Sequence, residues 1–385
     1  MTALHGLKVL DLTRLLPGPF ATMVLADLGA QVDKVEDTGA GDYLRAAPPA
    51  VEGMGAGFHI LNRGKRSLAL DLKRPEGASV LLRLARSYDV VFEQFRPGVM
   101  DRLGLSHARL LEENPRLVVC ALTGYGQDGP LRDRAGHDLN YLARAGILGL
   151  MGPVDGPPQL PSFQLADVSG GLYAVIGILA ALRARDATGR GSVVDVSMLE
   201  SVIGFAALPL ARLLAGELPA RGAEYLTGGI AAYGCYATKD GGAVTLGALE
   251  PKFLAAFLTA VGMEPDLMLL VPGEHQAAYQ QRLAELFRTR TRAEWEALGR
   301  AHDCCVEPVL RPDELLTDPQ LVARRAFVTA QVGGATLGHF RTPVTPRDFT
   351  PAPAPAQGEH GDAILREAGL EAGEVVALRR AGVLR

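Results

Sequence analysis

The amino-acid sequence predicts an α/β fold built on a parallel sheet, and three observations predict it. Short apolar runs alternate with helical patterns from the first residues onward, which is the rhythm of βαβ units. Glycine and proline fall where helix ends call for them. Apolar residues make up 48% of the 385-residue chain, enough for a sizeable core, so a wholly disordered chain is excluded.

Residues 7–12 (LKVLDL) form the first apolar run and predict a strand. A turn follows at Pro17-Gly18-Pro19. Residues 20–28 are helical in pattern and stop at Gly29, which can take a left-handed cap conformation without a Cβ clash. Residues 31–36 (QVDKVE) predict the second strand, and a glycine-rich connection at 38–42 ends that unit. Residues 67–72 predict another strand. Residues 75–88 predict an amphipathic helix with Pro75 in its first turn, where no N–H is needed. Strands are predicted again at 89–93 and 117–122. Ligands of such sheets sit beyond the carboxyl ends of the strands. That rule places residues 12–14, 93–96 and 123–127 on one rim.

Further along, the pattern predicts a helix at 172–185, a strand at 193–197 and a helix at 198–214. Residues 215–229 are loop-like and rich in small side chains. A hairpin is predicted over 234–248, turning at 239–242. Helices are predicted at 251–262, 275–288 and 292–301. The proline-rich stretch 342–356 reads as an extended connector, and 360–378 as a closing helix.

The net charge of −4, with basic residues scattered rather than clustered, gives no reason to expect nucleic acid or an acidic membrane surface as a partner. Cys120, Cys235, Cys304 and Cys305 lack C-x-x-C spacing. Reduced thiols and a cytoplasmic location are expected. The opening residues lack the pattern of a signal peptide. The most apolar stretch, 172–182, has about half the length of a bilayer span, so no membrane is expected. No G-x-G-x-x-G follows the first strand, and G-x-x-x-x-G-K-[ST], H-E-x-x-H and G-x-S-x-G are missing too. No prosthetic group and no metal are therefore expected.

The candidates for chemistry are few. Gly136-His137-Asp138 follows the loop 124–130. Asp167 precedes Ser169-Gly170-Gly171 and a helix, and Glu250 precedes Pro251 at another helix start. Each is titratable and at the edge of an element, where functional groups tend to sit. Residue type alone leaves other roles open. His137 could be structural, Asp167 an ordinary N-cap, and Glu250 a complement to a helix dipole.

Longer segments add a resemblance. LKVLDLTRLLPGPFATMVLADLGAQVDKVE (7–36), NRGKRSLALDLKRPEG (62–77), DVVFEQFRPGVMDRLGL (89–105), LTGYGQDGP (122–130), ADVSGGLYAVIGILAALRARDATGRGSVVDVSMLE (166–200) and GEHGDAILREAGL (358–370) occur in that order. The chain resembles the family III CoA-transferases (CaiB/BaiF type) and the related 2-methylacyl-CoA racemases along nearly its whole length. The resemblance implies a Rossmann-like large domain with a parallel sheet, a smaller α+β domain, and a homodimer of interlocked chains. The expected boundaries are 1–215 for the large CoA-binding domain, 216–330 for the small domain, and 331–385 for a connector and a segment returning to the large domain.

Two chemistries are implied. In the transferases the carboxylate at the position of Asp167 attacks the thioester and forms a covalent acyl-enzyme. In the racemases it is paired with a histidine in a Gly-His-Asp motif. GHDLNYLARAGIL (136–148) carries that motif, and GALEPKF (247–253) supplies a glutamate resembling the one that orients the racemase histidine. The resemblance therefore favours racemase, with CoA transfer through Asp167 as the alternative. Inverting a carbon next to a thioester needs a base on one face and a proton donor on the other. His137 and Asp167 serve if both pKa values lie near neutrality. By analogy His137 acts on the 2S substrate and Asp167 on the 2R substrate, with Glu250 orienting His137. Backbone amides at Ser169-Gly170-Gly171 are candidates to hold the enolate oxygen.

Coenzyme A is expected only as part of the substrate. Arg14, Asn62, Arg63, Lys65 and Arg96 match motif positions and are the candidates for its phosphates. Where relatives often carry a basic residue after the second strand, this chain has Asp37. The acyl-CoA and a second copy of the chain are the expected partners.

Overall fold

The computed structural model describes residues 2–385. They fall into two compact units. One holds residues up to Ala145, Pro161–Phe205 and Pro319–Arg385; the other holds Gly146–Leu160 and Ala206–Asp318.

The larger unit is built on six strands: β1 (Lys8–Asp11), β2 (Gln31–Glu36), β3 (Arg66–Ala69), β4 (Val90–Glu93), β5 (Val118–Thr123) and β6 (Ser192–Ser197). They run parallel in the order β3-β2-β1-β4-β5-β6. The order reverses at β1 and β4, and such switch points are where open parallel sheets bind ligands. Leu10, Val91 and Val119 lie in register across neighbouring strands. Their side chains enter one apolar cluster with Leu81 and Leu84 of α2 (Pro75–Ala85). On the other face α1 (Pro17–Asp27) packs against α4 (Leu165–Thr188). Gly171 permits that approach, since a Cβ there would lie 2.7 Å from the Pro17 carbonyl oxygen.

α4 has 24 residues and is longer than the sequence predicted. By length and composition it could cross a bilayer. Ala166, Gly170, Gly171, Ala174, Val175, Ile178 and Leu182 are nonetheless buried along one face, so it is a packed helix of the folded unit. The helix predicted over 198–214 is broken instead. α5 (Met198–Ile203) is followed by a 3₁₀ turn, Gly204–Ala206, and a second helix, Ala207–Leu214. Pro209 explains the break, because its ring would collide with the Phe205 carbonyl in a continuous helix. The change of unit falls at this break.

The antiparallel hairpin β10 (Phe327–Val332) and β11 (Ala335–Phe340), which the sequence did not predict, belongs to the larger unit. So do the proline-rich connector and the helices α9 (Gly361–Glu367) and α10 (Ala372–Arg380). Gly369, with φ 77°, separates those two helices where one was expected. The chain end returns to the sheet: Asp71 N–H donates to the Val383 carbonyl at 2.9 Å, and Leu384 bridges Leu70.

The smaller unit has the antiparallel strands β7 (Tyr233–Ala237), β8 (Ala243–Gly247) and β9 (Val306–Pro308), in the order β9-β8-β7. Helices α6 (Pro251–Ala260), α7 (Gln276–Phe287) and α8 (Arg292–His302) accompany them. Its core is aromatic. Phe287 stacks on Tyr236 and Phe257, and buried Trp295 donates from Nε1 to the Phe287 carbonyl at 2.8 Å.

Candidate active site

A cleft of about 1050 Å³ lies on the larger unit and is lined by that unit alone. It follows the carboxyl ends of β1 to β5. Leu12, Thr13 and Arg14 come after β1, Asp37 to Tyr43 after β2, Leu70 to Lys73 after β3, Gln94 to Pro97 after β4, and Gly124 and Tyr125 after β5. His137, Tyr141 and Asp167 complete one part of the lining.

His137 is the N-cap residue of α3 (Asp138–Arg144). It is exposed, and its backbone N–H donates to Asn140 Oδ1 at 3.0 Å. Tyr141 fixes the loop before it. The phenol donates to the Gly136 carbonyl at 2.6 Å, and the ring meets Tyr125 edge-on. A Cβ on Gly124 would lie 2.4 Å from that ring, so only glycine fits under it.

Asp167 lies in the first turn of α4, half-buried. A helix N-terminus favours a charged carboxylate, but by only about 0.3–1 kcal/mol. Burial, and after it the neighbouring Asp138 carboxylate, push the other way and lift Asp167 from 3.8 to about 7. That shift amounts to about 4 kcal/mol at 1.36 per unit, so desolvation and like-charge repulsion win. Asp138 also fixes where Asp167 stands. Its Oδ1 accepts from the backbone N–H groups of Ala166 at 2.6 Å and Asp167 at 3.1 Å.

Arg14 and Arg96 line the same cleft and are exposed. Arg14 stacks on Tyr43 with its guanidinium carbon 4.8 Å from the ring centre. Asn62, Arg63 and Lys65 require correction, because all three are buried inside the fold and none lines the cleft. Arg63 forms a two-point ion pair with Asp27, at 3.0 and 2.6 Å. Lys65 Nζ reaches Asp11, Thr22, Asn62 Oδ1 and the Pro19 carbonyl, all within 3.2 Å. Burial holds the Lys65 ammonium down at about 8 although Asp11 opposes the shift. Burial alone would raise Asp11, but Lys65 and Lys34 outweigh it and keep the carboxyl well below its ordinary range. A phosphate could reach these groups only by breaking a satisfied buried network. Lys65 ties the end of β1 to α1, and Arg63 anchors the last residue of α1.

Ser169, Gly170 and Gly171 are corrected as well. α4 begins at Leu165, so these residues lie inside it rather than at its start, and their N–H groups belong to the helix. The first-turn amides of Ala166 and Asp167 are already taken by Asp138. Glu250 belongs to the smaller unit, where it is exposed and caps α6 without a side-chain hydrogen bond.

Sequence reasoning missed Lys73, Arg132, Arg134 and Tyr141, which line the cleft, and took Asp138 only as part of the Gly-His-Asp motif without its hold on Asp167. Lys73 follows β3, and applying the rim rule to that strand would have found it. Asp37 lines the same cleft, and Lys73 with Arg14 supplies positive charge there. Among the described residues no group of three or more potential metal ligands is gathered.

The family model for CoA-transferase family III matches residues 4–361, and the chain belongs to that family. It is 36% identical to the human α-methylacyl-CoA racemase over 98% of this chain and 96% of that protein. It is 31% identical to the human succinyl-CoA:glutarate CoA-transferase over 94% of this chain and 85% of that one. A crystal structure of a CAIB/BAIF family protein from Brucella suis aligns with a TM-score of 0.81, at 33% identity, covering 95% of this chain and 99% of the other. The protein is thus an enzyme of the family III CoA-transferase and racemase group.

Proposed function

We propose that this enzyme is an α-methylacyl-CoA racemase that inverts the carbon next to the thioester by moving a proton through an enolate. The observation that carries the reading is that His137 and Asp167 line one cleft, with Asp167 lifted to about 7. A carboxyl group that titrates near neutrality both takes and gives a proton at working pH. A nucleophilic carboxylate reacts only in its charged form, so a lift to about 7 leaves part of it idle at neutral pH, whereas proton transfer in both directions uses both forms. This favours proton transfer over the alternative, CoA transfer through an aspartyl-CoA thioester at Asp167.

In the proposed reaction the thioester lies along the rim with its α-carbon between His137 and Asp167. His137 takes the proton of the 2S substrate and Asp167 returns one to the opposite face; the 2R substrate runs the other way. Arg14, Arg96 and Lys73 hold the phosphates of CoA, which takes part only as the carrier of the acyl group. Asp37 repels phosphate, so charge in that part of the cleft comes from Lys73 and Arg14. No prosthetic group or metal is invoked.

The working form we propose is a homodimer of interlocked chains in which Glu250 of one chain orients His137 of the other. Leu172, Tyr173 and Ile176 leave an apolar strip exposed on α4, and a second chain would cover it. A cytoplasmic location goes with this reading.

The test is solvent exchange. In D₂O without any acceptor acid, the enzyme exchanges the α-hydrogen of a 2-methylacyl-CoA. Absence of exchange, together with a borohydride-trapped adduct on the Asp167 peptide, would establish CoA transfer instead.

A further inference from the structure

Glu93 ends β4, one of the two strands at the switch point, and it is buried. Its Oε2 accepts from the Phe95 N–H at 2.7 Å, and its Oε1 meets His107 Nε2 at 3.1 Å. One carboxylate thus ties the loop after β4 to the start of the helix His107–Glu113. Gln94 secures the same loop to α1, its Oε1 accepting from the Gly18 N–H at 3.1 Å. Arg96 follows directly on these ties. Its charge reaches the Tyr141 phenol, which clamps Gly136 ahead of His137.

Next to the main cleft lies a recess of about 70 Å³, whose lining includes Glu93, Arg96, Asp101, His107 and Arg132. Arg96 lines the recess and the cleft alike. Its guanidinium has no ion pair among the described residues, so it is free to lean toward either. The charge balance at Glu93 decides which, because a buried carboxylate without a cation is costly. His107 supplies that cation when protonated. The hydrogen bond from Glu93 raises the imidazole above its ordinary value; burial opposes the rise, and Asp101 and Asp195 of β6 add to it. Two other groups face the pair. Arg132 has the Asp133 carboxylate at 3.6 Å. Cys120 of β5 stays protonated, pushed up by burial and then by Glu93 and Asp195.

We propose that Glu93 and His107 are a positioning pair that sets whether Arg96 faces the cleft or the recess, and through it the affinity for a CoA phosphate. With His107 charged, Glu93 is paired and Arg96 stays with the cleft. With His107 neutral, the carboxylate draws Arg96 inward and the phosphate loses its partner. The inference rests on the reading above for the place of a phosphate at Arg96, and it requires no choice between proton transfer and CoA transfer.

The experiment is calorimetric CoA binding at pH 6 and pH 9 for the wild type, His107→Gln, Arg96→Gln, the double variant and Glu93→Gln, with thermal melts confirming folding. Glutamine at 107 keeps a donor for Glu93 but not the charge. Taking the ratio of variant to wild-type Kd at each pH cancels the titration of CoA itself. His107→Gln should weaken CoA about tenfold at pH 6, the loss of one charge-assisted contact, and leave it unchanged at pH 9. In the Arg96→Gln background it should have no effect at either pH, because the pair acts through Arg96. Glu93→Gln, which cannot draw Arg96 inward, should bind CoA more tightly than the wild type at pH 9. The proposal is overturned if His107→Gln leaves CoA binding unchanged at pH 6, if it weakens binding equally at both pH values, as a purely structural role would, or if its effect persists without Arg96. CoA binding untouched by Arg96→Gln would overturn the phosphate placement as well. Absence of solvent exchange would overturn the proton-transfer reading alone, since CoA binding is measured without turnover.

Discussion

The Asp138 carboxylate accepts two backbone hydrogen bonds from the first turn of α4, one of them from the N–H of Asp167 itself. The residue after His137 in the chain therefore clamps the helix that presents Asp167. Asp138 thus fixes where Asp167 stands and, after burial, adds to how firmly it holds a proton.

Asp138→Asn keeps an acceptor oxygen but removes the charge. Asp167 should then titrate lower, and the acid limb of the exchange profile should move down by about one pH unit. Asp138→Ala also leaves two N–H groups unpaired, at about 1–3 kcal/mol, and should lose rate as well. A pH–rate profile of each variant checks both expectations.

Asp167 also predicts a pH dependence of stability. The folded protein holds a proton on this group between 3.8 and about 7 that the unfolded chain has released. Its folding penalty therefore grows as pH rises through that window and is fully developed above 7. Asp167→Asn should be more stable than the wild type at pH 8, by up to about 4 kcal/mol, and no more stable at pH 4. Denaturant unfolding at the two pH values reads the difference.

Lys65 and Lys73 should separate structure from binding. Lys65→Met leaves Asp11 charged in the core without its ion-pair partner, held only by Thr13, Thr22 and the field of Lys34, and should cost about 3–5 kcal/mol of stability. Lys73→Ala, on the cleft rim, should change stability by less than about 0.5 kcal/mol while raising the Kd for CoA about tenfold, as loss of one charge-assisted contact does. Melting curves and CoA calorimetry on both variants check this.

Gly124→Ala should displace the Tyr141 ring, since the added methyl has 2.4 Å where contact needs more. The loop carrying His137 moves with it. We expect a loss of about 1–3 kcal/mol in stability together with a lower kcat.

Much of the fold was legible because parallel strands announce themselves locally. β2 occupies the residues predicted for it, 31–36, and the bounds of β1, β4 and β5 differ from expectation by at most one residue. The α4 start was missed because residues 165–171 carry Asp167, Ser169 and two glycines, which favour a loop by propensity; packing against α1 overrode that preference. The β10–β11 hairpin was legible as well, since Val328, Ala330 and Val332 alternate with exposed neighbours and Gly333-Gly334 supplies a two-residue turn, a signal the sequence reading passed over. At the site, the Gly-His-Asp motif and Asp167 could be read from the chain. Which basic residues face the cleft could not, because sequence does not distinguish a lysine on the rim from one paired with a buried aspartate. Lys65 and Lys73 are that case.

The central claim is that His137 and Asp167 serve opposite faces of one carbon. The most direct measurement follows deuterium entry separately from (2R)- and (2S)-methylacyl-CoA in D₂O with His137→Ala and Asp167→Ala. The account predicts that each variant loses inversion, that His137→Ala still exchanges the 2R substrate, and that Asp167→Ala still exchanges the 2S substrate. Inversion that survives in either variant would contradict it.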